Sequence, residues 1–198
     1  MKKLLIPAFV IMCLVQWFVP AQIIVEQETV LDEGTLYHFK TAPIDPADPF
    51  RGKYITLNFE QSHILVTDDK EWKRDQDIYV WLADSAGFAH ITKVSMYEPE
   101  GTDFVKAKVD HVTSYEPYTL WIKYPFERFY MEESKAADAE QVYRGIQIQA
   151  DTSEADATQV AYAVVSVKDG KAALKDVKIN ERSIVDVVRE LNGEKSPE

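Results

Sequence analysis

The chain has 198 residues, 46% hydrophobic and 12% aromatic, which is enough for one domain with a real core and excludes a disordered tract. Its net charge of −11 becomes −13 once the first twenty residues, with Lys2 and Lys3, are set aside. A surface of that sign repels phosphate backbones and anionic headgroups, which excludes nucleic acid as the main partner. The single cysteine, Cys13, lies in the apolar start, so the domain that follows has no internal disulfide.

Met1-Lys2-Lys3 opens onto an apolar stretch from Leu4 to Val25. As a helix that stretch would be about 33 Å long, the thickness of a hydrocarbon core. Lysines precede it and Glu26, Glu28, Asp32 and Glu33 follow it, so a single-pass span would keep its N-terminus inside. Trp17 and Phe18 suit the outer interface, and Pro20 is expected to kink the span. A cleaved signal peptide is the competing reading, with Val19-Pro20-Ala21 as the cleavage site. Bulky Met12 argues against a lipoprotein signal at Cys13. Either way residues 1–26 form an anchor or signal, and residues 27–198 form a domain outside the cytoplasm. Glu26–Gly34 reads as a short juxtamembrane continuation closed by Gly34.

Runs rich in β-branched and aromatic residues come next: Thr35–Thr41, Lys53–Glu60, Asp77–Ala83, Phe88–Tyr97, Asp103–Thr113 and Tyr118–Tyr124. Within Lys53–Glu60, Ile55, Leu57 and Phe59 share one face and Tyr54 takes the other. A helix is expected after Ser134, where Ala136, Ala139, Val142, Tyr143 and Ile146 recur at helical spacing. Gln159–Lys168 and Lys171–Ile179 flank Asp169-Gly170, the strongest hairpin signal in the chain. A short C-terminal helix, Ile184–Leu191, ends at Asn192-Gly193. The expected fold is mainly β: an antiparallel sheet forming a distorted barrel or sandwich, one packed helix and a C-terminal helix, after an N-terminal transmembrane helix.

Pro43-Ile44-Asp45-Pro46, with Phe50-Arg51-Gly52-Lys53-Tyr54 and the strand to Phe59, resembles the GDYXXLXY family of membrane-anchored bacterial proteins. Tyr124–Glu132 and Lys168–Lys175 are similar to later segments of that family. Lys53 stands where the family name has an acid, and Phe59 where it has its last tyrosine. The family has no established activity, so the resemblance implies only a membrane tether and association with multi-pass membrane proteins.

Asp45 and Asp48 beside Arg51 could clasp a cation, or Asp45 could hold the turn by pairing with Arg51. Gly52 marks a backbone geometry or close approach that a Cβ would forbid. Tyr54 and Leu57, on opposite faces, would divide between core and groove. Glu127, Arg128 and Glu132 complete the candidate binding residues, with Glu127, Glu132 and Glu133 also able to supply a carboxylate pair. His38, His63, His90 and His111 show no paired ligand spacing, and Asp151–Asp156 lacks the glycine of a calcium loop, so no metal or cofactor is expected. No nucleophile motif is present, and no catalytic residue is assigned. Trp72, Trp81 and Trp121 could stack on a glycan or fill the core.

The expectation is a non-enzymatic domain on the outer face of the cytoplasmic membrane that binds or supports a membrane partner, a multi-pass protein being what the resemblance implies. Two alternatives stay open: an envelope hydrolase or metal-dependent enzyme using scattered acids and histidines, and a glycan-binding module.

Overall fold

Alternation decides most of the sheet. The structure, a computed structural model, describes residues 2–42, 54–67, 72–101, 104–130 and 160–191. The expected Ser134 helix and the Asp151–Asp156 loop lie outside those residues. Strand β1, Thr35–Ala42, buries Tyr37, Phe39 and Thr41 and turns the residues between them outward. Strands β5 (Asp77–Ser85), β6 (Phe88–Ser95), β7 (Phe104–Val112) and β8 (Thr119–Lys123) follow the same rule, each with one buried row. Strand β10, Ala161–Lys168, is buried along seven consecutive residues and is therefore covered on both faces. It pairs with β1 on one side and with β11, Lys171–Ile179, on the other.

The expected Lys53–Glu60 strand is broken. It forms β2, Tyr54–Thr56, and β3, Asn58–Phe59, which join different partners. Strand β3 pairs with β1, while β2 pairs with the short β9, Arg128–Tyr130. The Leu57 N–H donates to the Glu127 carbonyl at 2.8 Å at the break. Among the described residues there are two more short strands, β4 (His63–Leu65) and β12 (Arg182–Ser183). Among the described residues the strands pair antiparallel, in two five-stranded sheets and one two-stranded ribbon. One sheet runs β12-β11-β10-β1-β3, the other β4-β8-β7-β5-β6. The fold is mainly β and barrel-like, with the two large sheets closing around one core.

The Asp169-Gly170 turn has φ of 49° and 77°, as a type I′ hairpin requires. Gly170 is needed twice over. A Cβ there would meet Phe104 Cε2 at 2.5 Å, and its carbonyl accepts the Lys106 N–H at 2.8 Å, stitching one sheet to the other. The β5–β6 turn repeats the device through Ala86 and Gly87, at φ of 54° and 86°.

Helix α1, Lys2–Glu33, runs without interruption through Pro7 and Pro20. A separate span over Leu4–Val25 with a short continuation was the expectation; the structure has one helix. Among the described residues no helix is long and apolar enough to cross a membrane. The stretch from residue 11 to 33 includes Glu26, Glu28, Asp32 and Glu33, and that acidic end lowers its mean hydropathy. The end is docked. Val30 is buried at 3% exposure, and its carbonyl accepts the Ser166 hydroxyl at 2.5 Å and the Gly34 N–H at 3.1 Å. A Cβ on Gly34 would crowd Ser166 Oγ and the Val30 carbonyl, so glycine permits the close approach. Lys168 pairs with Glu33 and Lys171 with Glu26 at 2.8 Å. Helix α2, Ile184–Leu191, is opened by Ser183, whose hydroxyl accepts the Val185 N–H, and buries Ile184 and Val188 completely.

Where β1, β3 and the loop before β9 converge, Phe39, Phe59, Tyr124 and Phe126 form one aromatic cluster. All six ring pairs have centroids between 5.0 and 5.9 Å apart. Each of the four residues is at most 3% exposed. The Tyr124 hydroxyl donates to the Gln61 carbonyl at 2.8 Å, and burial pushes that phenol far above its ordinary pKa. Removing one ring opens a cavity that its neighbours cannot fill. Phe59→Ala should therefore lose about 3–5 kcal/mol in chemical denaturation. A loss under about 1 kcal/mol would mean that the cluster does not hold the sheets together.

Candidate functional site

A groove of about 500 Å³ opens beside the aromatic cluster, where β3, β4 and β8 meet. Leu57 and Phe59 form its floor, at 1% and 3% exposure. Its polar walls carry Glu60, His63, Asp110, Lys123 and Glu127. Each arrives by a different route. His63 stands on β4 directly opposite Trp121 of β8, and the Ile122 N–H donates to the Ser62 carbonyl at 2.8 Å to hold that corner. Asp110 enters through a bulge in β7 between Val109 and His111, which leaves it out of register with β8. Its carboxylate takes His111 Nδ1 at 2.8 Å and lies 4.0 Å from Arg74 Nη2.

Glu127 is half-buried, and its Oε1 accepts the Tyr124 N–H at 3.0 Å. Burial raises its pKa above the ordinary 4.5, and the nearby charge of Asp110 adds to this. The Tyr124 N–H and the charges of Lys123 and Arg128 oppose the shift. The groove thus sets three carboxylates, Glu60, Asp110 and Glu127, against Lys123 and the imidazole of His63. A cationic group entering it would meet complementary charge. A carboxyl with a raised pKa beside a second carboxylate can also hold and release a proton. Among the described residues no three His, Cys, Asp or Glu side chains are grouped to hold a metal ion.

Trp121 is framed by histidines. His63 lies 4.8 Å from it with the rings tilted by 31°, and His111 is stacked at 5.5 Å and 11°. Its two cross-strand neighbours are therefore already its ring partners. Trp81 carries the Lys93 ammonium 5.0 Å from its ring centre, and Trp72 packs on the core. Trp81 faces Phe104 at one end of β7 and Trp121 faces His111 at the other. That separation is about 20 Å along the strand, so these two rings do not share a platform.

The groove collects two of the residues singled out from sequence, Leu57 and Glu127. Leu57 is core. Arg128 sits exposed on β9 opposite Thr56, and Tyr54 lies in β2 opposite Tyr130, its side chain outside those described. Asp45, Arg51, Gly52 and Glu132 lie outside the described residues. Sequence reading passed over Glu60, Asp110 and Lys123 and found no role for His63 and His111. Only the β4-β8-β7 register, with the bulge, brings His63, Asp110, His111 and Lys123 together around Trp121, while the Glu60 N–H donates to the Lys40 carbonyl of β1.

The β2–β9 ribbon pairs Tyr54-Ile55-Thr56 with Arg128-Phe129-Tyr130, so two segments that resemble one family meet in space. The family model described as GDYXXLXY protein matches residues 16–177. The chain belongs to the GDYXXLXY family. No curated protein and no solved structure matches it. In this GDYXXLXY protein the second half of the name pattern is packing: Leu57 and Phe59 fill the core, and Asn58 between them faces out.

The raised pKa of Glu127 makes the folded GDYXXLXY domain hold this proton more tightly than the unfolded chain does. The stabilisation is complete below the ordinary value of 4.5 and is lost as pH rises through the raised one. Glu127→Gln keeps the oxygen that accepts the Tyr124 N–H and removes the titration. The variant should exceed the parent in stability at pH 7 by up to about 1 kcal/mol, discounted for partial exposure. The gap should close by about pH 4 in paired thermal melts. A gap that widens toward acid would show that Glu127 is stabilised as the anion.

Proposed function

We propose that this protein is a non-enzymatic domain tethered by α1 to the cytoplasmic membrane and displayed outside the cytoplasm, where it supports a multi-pass membrane partner. The support for this reading is the surface of α1. Phe9, Leu14, Val15, Trp17, Phe18 and Val19 are each more than half exposed. At 100° per residue they point around the whole circumference rather than along one stripe. A helix that is apolar on every side, with no partner element against those side chains, is suited to lipid or to other membrane helices. Docking of Val30 and Gly34 on β10 gives the domain a set orientation relative to the tether. A tethered domain needs only modest contact affinity, because the anchor supplies high effective concentration. The acidic groove beside Trp121 is its contact face in this reading, with Asn58 on the exposed rim.

The test uses a photo-cross-linking residue in place of Asn58 in the full chain, in native membranes. It should capture a multi-pass membrane protein identified by mass spectrometry, and the same residue at exposed Lys175 should not. A reporter active only outside the cytoplasm should work when fused to the C-terminus. Activity of a cytoplasmic reporter alone would reverse the topology, and equal capture from both positions would remove the groove as the contact face.

A further inference from the structure

A second pocket, of about 460 Å³, lies in the angle between α1 and the domain. Its walls are largely apolar, with Ile23 on the helix side and Ala107, Pro125 and Ala172 on the domain side. Four lysines surround it: Lys106 and Lys108 on β7, Lys123 on β8 and Lys171 on β11. Antiparallel pairing makes Lys108 and Lys123 direct cross-strand neighbours, an arrangement of like charges that costs energy.

Only two carboxylates among the described lining residues answer those four cations. Asp77 is shared between Lys106 at 3.2 Å and Lys108 at 3.7 Å, and Glu26 takes Lys171 at 2.8 Å. Lys123 makes no ion pair within 4 Å among the described residues, although its charge also acts on Glu127 on the groove side. In a chain of net charge −11, this spot is locally cationic. The overall charge should repel anionic headgroups, and here the sign is reversed.

Position adds a second constraint, which rests on the tether reading. The apolar stretch of α1 ends at Val25, and the pocket is lined by Ile23, Glu26 and Gln27. From Ile23 to Gln27 a helix rises about 6 Å. That is the depth of one headgroup layer, roughly 5–7 Å between the hydrocarbon core and water. The lysines would then stand at phosphate level, with Ile23 and the exposed apolar side of α1 running down beside the acyl chains.

We infer that this pocket binds one anionic phospholipid of the host membrane, its phosphate held by Lys108 and Lys123 and its glycerol end against Pro125 and Ala172. The lipid relieves the like-charge pair and covers the apolar wall of the junction. It therefore fixes the angle at which the domain leaves the bilayer.

The full chain, in an uncharged detergent, is offered dioleoyl phosphatidylglycerol or dioleoyl phosphatidylcholine and examined by native mass spectrometry. One phosphatidylglycerol should be retained at least about tenfold more than phosphatidylcholine, with roughly fivefold lost per lysine removed. Lys108→Gln with Lys123→Gln should bring the two lipids level, while Lys175→Gln, away from the pocket, should leave the preference intact. Circular dichroism on the double variant establishes that it is folded. Equal retention of the two lipids by the parent chain overturns the site, as does a preference that survives the double variant. Carbonate extraction of native membranes separates the two levels. A chain that stays with the membrane but shows no lipid preference keeps the tether and loses the lipid site. A chain released by carbonate loses both.

Discussion

Packing of four aromatic rings, Phe39, Phe59, Tyr124 and Phe126, is the constraint on which the rest of this fold depends. They come from β1, β3 and the loop between β8 and β9, so three separate parts of the chain are anchored to the same point. Rings 5.0–5.9 Å apart bury large areas and leave little freedom to slide. Because Phe59 must point into the cluster, the strand carrying it cannot stay paired with β9, and it breaks at Leu57. The break leaves Glu127 half-buried against the Tyr124 N–H and opens the groove. Core packing and groove are thus one feature seen from two sides.

Charge is distributed with similar economy. The chain is strongly acidic, yet its lysines converge at the angle beneath α1 and its acids at the groove beyond Lys123. Lys123 lines both cavities and forms the ridge between them. The exposed ion pairs that link α1 to the domain contribute little individually. Seating of the helix rests instead on buried Val30, on the hydroxyl of Ser166 and on the missing side chain of Gly34. An attachment of that kind is insensitive to salt.

Much of the sheet was legible because side-chain alternation is local. The ranges expected for β1, β5, β6, β7, β8, β10 and β11 agree with the observed strands to within one or two residues at most ends. Asp169-Gly170 announced its turn because few residues tolerate φ above zero at both central positions. The short strands β4, β9 and β12, of two or three residues each, have no periodicity of their own and exist only because a neighbour supplies hydrogen bonds. The sequence divides the helix at Val25, where apolar residues give way to acids, and by local rules Pro20 is expected to kink the first part. In the structure it continues through Pro20, and its end is held by the docking of Val30.

The sequence by itself determined the β-rich class, the apolar all-round character of the first helix, the acidic balance and the family, because each is carried by residue type and short-range order. The tertiary structure alone decided which residues share a site. Trp121 lies between His63 and His111, Asp110 enters the groove through a bulge, and Lys108 faces Lys123 because of strand register. Register is set by the burial of Ile122, Val109 and Leu120 on the opposite face. The physical reason is that a strand's outward residues are positioned by what its inward residues pack against, and those partners are distant in the chain.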